Sequence, residues 1–206
     1  MRLVLAVGLA LTTCVASAAT PSLADHFPGM KLVQRVDAPI LRDGSDDVVF
    51  VYSGEEGHRV AVAHFDHKPR ESDPVVIDVL ELPSSPFDPP HVTVQKHVVV
   101  IEQMTGGTMA TESTFRFRLN PDQDCMGLIG LDAERYDRMG GNDGYRISWN
   151  LLTGKFISQR TWPQGSTKKP APEHVSKRAP GAVCMALIDQ PDDVIDAALE
   201  AEPRGR

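Results

Sequence analysis

"STFRFRL", Ser113 to Leu119, decides the fold class. Phe115, Phe117 and Leu119 alternate with Arg116 and Arg118. Successive side chains of an extended strand point to opposite faces, so the apolar groups share one side and the guanidinium groups the other. A helix would scatter both sets around its circumference. Period-two alternation with aromatic residues marks a half-buried strand.

The same alternation recurs on either side. "DDVVFVY" puts Val49 and Val51 on one face and Val48, Phe50 and Tyr52 on the other. "HRVAVAHF" sets Val60, Val62 and His64 against Ala61, Ala63 and Phe65. "PVVIDVLEL" places Val75, Ile77 and Val79 on one side and Asp78 on the other, and "HVTVQKHVVVIEQ" gives two runs about Gln95-Lys96. "MGLIGLD", "YRISWNL" and "GKFISQR" continue the series. Between them stand turn formers: Gly54 and Gly57, "KPRESDP", "PSSPFDPP", "TGGT", "NPDQD", "GGNDG" and "LTGK". Short strands at such spacing predict a mainly β fold, an antiparallel multi-strand meander of propeller-like or sandwich type. One short C-terminal helix is expected in "QPDDVIDAALEA", with Pro191 in its first turn and Val194, Ile195, Ala198 and Leu199 on one face.

The N-terminus sets the expected compartment. Arg2, the apolar run Leu3–Val15 and the small residues Ala16 and Ala18 read as a secretory signal peptide, residues 1–19. Lipid attachment at Cys14 is the weaker reading, because Thr13 is bulky for that position. No other stretch is long and apolar enough for a membrane span, and the periplasm is the expected location. The β domain is then 20–163. Residues 164–206 form a Pro- and Lys-rich excursion, a strand and the helix. Without Cys14 an even pair remains, Cys125 and Cys184. In an oxidising compartment they are expected to form a disulfide that ties the C-terminal part to the β domain and contributes about 3–4 kcal/mol.

The formal charge of −7 and the lack of a basic stripe argue against nucleic acid as partner. No GxSxG elbow, HExxH helix, phosphate-binding glycine loop or Cys–His signature is present. A hydrolase would have to use acids such as Asp78, Glu81 and Asp88, whose separation a sequence does not give. "HFDH" (His64, Asp66, His67) is the best histidine cluster, but along a strand His64 and His67 point to opposite faces. No enzyme activity, cofactor or metal is therefore expected. The candidate partner contacts are two segments read as loops. "MTGGTM" comprises Met104, Thr105, Gly106, Gly107, Thr108 and Met109, with methionines beside a flexible turn. "DAERYDR" offers Asp132, Glu134, Arg135, Tyr136 and Arg138, of which Arg135, Tyr136 and Arg138 are residue types enriched at interfaces.

One combination is specific. "PFDPPHVTVQKHVVVIEQMTGGTMATESTFRFR", "MGLIGLDAERYDR" and "ISWNLLTGK", spread over Pro86–Lys155, resemble a group of exported bacterial proteins. These share a Phe-Asp-Pro-Pro lead-in, a Tyr/Phe-x-Phe-Arg strand, a "LIG…YDR" strand and an "N-x-x-TGK" ending, often after an FG-GAP-like repeat. The resemblance implies propeller-like β structure. Some members look like periplasmic immunity proteins, including lysozyme-inhibitor-like ones, so it implies a cognate toxin or effector protein as partner. The alternative is a non-catalytic envelope or cell-wall binding module.

The resemblance also frames "RDGSDDVVFVY", Arg42–Tyr52, which sits where a calcium-loop repeat is expected. Such a loop needs oxygen ligands at positions 1, 3, 5 and 9 and Gly at 6. Aligned on Asp43-Gly44, positions 1 and 3 are Pro39 and Leu41, which cannot ligate. The stretch is therefore read as a turn leading into a strand.

Overall fold

The computed structural model describes residues 23–65, 74–87, 89–163, 165–168 and 171–188, with 193, 196 and 197. The expected signal peptide lies outside these residues. Of the expected C-terminal helix, Asp193, Asp196 and Ala197 are helical and the remainder lies outside.

The strands are β1 (Lys31–Asp37), β2 (Asp47–Gly54), β3 (Gly57–His64), β4 (Val75–Pro83), β5 (His91–Gln95), β6 (Val98–Gly106), β7 (Met109–Asn120), β8 (Cys125–Asp137), β9 (Gly144–Asn150), β10 (Lys155–Thr161), β11 (His174–Lys177) and β12 (Val183–Cys184). A 3-10 turn, Leu23–His26, precedes β1, and a second, Met185–Leu187, follows β12. All pairings are antiparallel, and chain neighbours are sheet neighbours. β1 to β4 form one sheet. β5 to β11 form a second in sequence order, and β12 returns to extend the edge of β8. The meander is thus as expected, and no barrel closes.

The two sheets share one buried core, which makes the arrangement a sandwich rather than propeller-like. Val49, Val51, Val60, Val62, Leu80 and Leu82 of the small sheet meet Ile101, Phe115, Phe117, Leu131, Ile147 and Phe156 of the large one. Phe115 and Phe117, the rings of the opening heptapeptide, are fully buried. Each contributes about 2–3 kcal/mol of hydrophobic stabilisation. The second face of the small sheet, Val48, Phe50, Tyr52, Ala61, Ala63 and Phe65, is covered by Leu23 and Phe27. Phe27 stacks on Tyr52 at 4.6 Å between centroids.

β4 departs from simple alternation. A bulge at Ile77 turns that residue toward the shared core, while Val76 and Val79 pack on the opposite face. An extra residue in one strand flips the face of everything before it. Asp78, in phase with Leu80 and Leu82 beyond the bulge, points inward. Its carboxylate accepts the backbone N–H of Val79 (3.0 Å), of Met126 in β8 (2.9 Å) and of Ala186 beyond β12 (2.9 Å). The Cys125–Cys184 disulfide closes the same junction between β8 and β12. At the opposite seam the side-chain amide of Gln34 in β1 donates to Val92 O (2.7 Å) and accepts from Val92 N (3.0 Å) in β5.

Candidate functional site

Two of the sequence expectations move. "DAERYDR" is not a turn: Cys125–Asp137 is one continuous strand, and only Arg138 lies beyond it. The register with β7 and β9 runs unbroken through Asp132–Arg135 and holds those residues in the ladder. Alternation then divides the set. Asp132, Glu134 and Tyr136 emerge on the outer face of the large sheet. Arg135 emerges on the inner face, where it donates to Thr111 Oγ1 (3.2 Å) and pairs with Asp196. "MTGGTM" is a hairpin tip, as expected, but Thr105 is buried in β6 and unavailable to a partner. Gly106, Gly107, Thr108 and Met109 are exposed. Gly106 has φ +86°, and a Cβ there would stand 2.2 Å from Met109 O, so the tip requires glycine.

The outer face carries a groove of about 820 Å³ running across β6 to β9. Its geometry follows from register. Gln103, Ser113, Ala133 and Ile147 are paired in one row, and their side chains point inward, so their backbones form the floor. On either side, outward side chains make two rails. One is Glu102, Thr114, Asp132 and Ser148, and the other is Met104, Glu112, Glu134 and Arg146. Pro86, Phe87 and Pro89 of the β4–β5 connection wall one end. Beyond Glu112, Glu134 and Arg138 the groove continues into a hollow of about 690 Å³ lined by Tyr136, Met139, Trp162 and Pro163.

The rails are charged and partly paired. Arg116 reaches Asp132 (2.6 Å), and Arg146 reaches Glu134 (2.8 Å). Glu112 stands directly opposite Glu134 across β7 and β8, an unfavourable like-charge placement. Tyr136 OH donates to Glu112 Oε1 (2.7 Å), and this bond to the carboxylate, with burial second, raises the Tyr136 phenol above its usual pKa. At the β8–β9 turn the Asp137 carboxylate accepts the backbone N–H groups of Met139, Gly141 and Asn142. The bond from Met139 is the largest influence, and together these donors hold the carboxyl below its ordinary range. The rim that carries Arg138 and Met139 is therefore fixed by its own backbone. Arg138 lies 4.7 Å over the Phe87 ring, and Lys168 and Arg160 lie 4.5 and 5.1 Å from the Trp162 ring. Both aromatic walls thus already carry cations, an arrangement unlike a bare platform for a sugar ring.

Other candidate residues have structural roles. Asp43-Gly44 forms a turn, with Gly44 at φ +75° and Ser45 N donating to Arg42 O. Asp47 is buried and accepts Ile40 N and Leu41 N, both at 2.7 Å, and the Ser45 hydroxyl, while His64 Nδ1 lies 2.6 Å away. Burial pushes this carboxyl upward, but Ser45, Leu41, Ile40 and His64 outweigh it and hold it below the ordinary range. Its oxygens are committed to the chain that would have to open into a calcium loop. Asp66, His67 and Asp88 lie outside the described residues. Glu81 pairs with Arg59 on the surface, whereas Asp78 is buried, so these two acids do not converge. Among the described residues no group of three or more His, Cys, Asp or Glu is placed to hold a metal ion.

Comparison with protein-family models, curated proteins and solved structures found no match to this chain. The groove residues Glu102, Glu112, Thr114, Arg146 and Phe87 were not singled out from the sequence. The alternation of "IEQM" and "MATEST" was the available signal, but only the strand register brings these side chains onto common rails.

Proposed function

We propose that this protein is an exported, non-catalytic binding protein of the immunity or inhibitor type, which neutralises an antibacterial toxin by holding it on the outer face of the large sheet. The observation that carries the reading is the groove itself. Four paired strands present two rails of outward side chains on a floor of backbone, beside the exposed hairpin tip Gly106–Met109. Protein partners are held by such rigid surfaces with aromatic, arginine and methionine side chains at the rim, here Tyr136, Arg138, Met109 and Met139. The Cys125–Cys184 disulfide is compatible with export to the periplasm. No described helix is long and apolar enough to cross a membrane. The resemblance of Pro86–Lys155 to exported immunity-type proteins supports the same role.

The test is a co-culture of sibling bacteria. Cells lacking this gene are expected to lose viability beside toxin-delivering wild-type siblings, and the wild-type gene is expected to protect them. Protection should fall when Arg138→Glu and Glu134→Arg are introduced together at the groove. Equal survival of deleted and complemented cells would remove the immunity role.

A further inference from the structure

We infer that the groove receives a basic side chain of the partner, lysine or arginine, between Glu102 and Glu112. The inference rests on the groove being the binding face, as proposed above, and adds the chemistry of what enters it. Register fixes the place. Glu102 is paired with Thr114 and Met104 with Glu112, so these four side chains form a square on one face of β6 and β7. The two carboxylates stand on its diagonal, a separation of about 7–8 Å between backbone positions. A single cation between them lies within reach of both. Met104, a corner of the same square, supplies apolar surface for the aliphatic stem of such a side chain.

The charge balance of the groove selects this square. Asp132 is matched by Arg116 and Glu134 by Arg146. Arg138 is directed to the Phe87 ring. His91 of β5 stands across from Glu102 in the register but forms no ion pair with it, so among the described residues Glu102 and Glu112 have no ion-pair partner, and both are exposed. Glu112 is further held opposite Glu134, so the empty groove keeps a like-charge contact that an arriving cation relieves. Tyr136, donating to Glu112, fixes that carboxylate in place. A basic group is complementary to this arrangement, and an acidic one is repelled by it.

The experiment uses the full exported chain and fluorescein-labelled hexaarginine, hexalysine and hexaglutamate, with binding read by anisotropy at low salt. The basic peptides should bind and hexaglutamate should not. Glu102→Gln with Glu112→Gln should weaken binding at least fivefold. Glu55→Gln with Glu56→Gln removes the same charge from the exposed β2–β3 turn and should change it less than twofold. Tighter hexaarginine would assign a guanidinium as the occupant, and tighter hexalysine an ammonium. Equal weakening by the two double variants would reduce the effect to net charge and overturn the inference, as would basic peptides binding no better than hexaglutamate. Failure here leaves the co-culture result standing, since a partner can sit elsewhere on the face. Failure in co-culture leaves the peptide result standing for a partner that is not a toxin.

Discussion

Asp78→Ala removes a carboxylate that hydrogen-bonds the small sheet to the C-terminal return of the chain. Its carboxylate accepts N–H groups from three segments, and Met126 and Ala186 are 48 and 108 residues away along the chain. Alanine leaves the Met126 donor without an acceptor in a buried site, at about 1–3 kcal/mol, and the half-buried Ala186 donor without one at a smaller cost, because water reaches that end. Against this, burial is the largest influence on Asp78 and raises its pKa despite the N–H donors, so the variant also sheds some desolvation cost. The net expected loss is about 1–3 kcal/mol, or about 2–12 °C in Tm at about 2–4 °C per kcal/mol for a domain of this size. Urea unfolding with the disulfide oxidised measures it, with an unchanged m-value as the sign that only stability moved. Asp78→Asn keeps one acceptor oxygen and no charge, and should lose less. The pH dependence separates the two terms. Because the folded pKa is raised, the contribution of Asp78 is fully present below the unfolded value of about 3.9 and is lost as pH rises through the folded value. The disadvantage of Asn relative to Asp should therefore shrink from acid toward neutral pH. An Asp78→Ala variant within about 0.5 kcal/mol of wild type, at equal m-value, would refute the reasoning.

Asp47→Asn should behave with the opposite sign: its folded pKa is lowered, so a deficit of about 1–3 kcal/mol at neutral pH should fade as pH drops below about 4 and through the folded value, read by melts across a pH series. Gly106→Ala should cost about 1–3 kcal/mol in urea unfolding, because the new Cβ meets Met109 O and the αL backbone is strained. Replacing both Cys125 and Cys184 by Ser opens a loop spanning 59 residues of sequence separation and should cost about 4 kcal/mol. Combined with Asp78→Ala, the losses should fail to add by more than about 0.5 kcal/mol, since both changes loosen the same junction.

The strands read best where both faces are buried. In β2 and β3 each face has its own apolar set, so alternation alone separated Val49 and Val51 from Val48, Phe50 and Tyr52, as the two clusters do. β1 carries no period-two signal because little of it is buried: Leu32 and Val33 are exposed and a bulge falls between Leu32 and Gln34. In β4 the bulge at Ile77 defeats a strict period of two: Ile77 turns to the shared core while Val79 packs on the opposite face, so the expected set of Val75, Ile77 and Val79 is divided. "DAERYDR" looked like a turn because its composition is polar. That polarity belongs to a strand whose outer side faces water. The stretch Gln164–Gly181, read as an excursion, contains His174–Lys177 paired with β10, an edge strand too short and polar for periodicity to mark. Met104, Asp132, Glu134 and Arg138 were legible as candidate contacts and line the groove, but the groove as a shape was not, because its rails exist only once four strands are aligned, and pairing register is a long-range property.

The Gln34 amide closes part of one border of the large sheet. β5 is an outer strand of the large sheet, and its unpaired N–H and C=O groups invite another strand to add. At Val92 both groups are already taken by one side chain that imitates a rung of backbone. An incoming strand would have to displace the glutamine and prise apart the seam between the sheets. Growth of the large sheet by strand addition is therefore directed to its other border, the short strand His174–Lys177, where the neighbouring Pro172 lacks an N–H to offer. Oligomers formed through these borders, if a variant such as Gln34→Ala provokes them, should begin at β5.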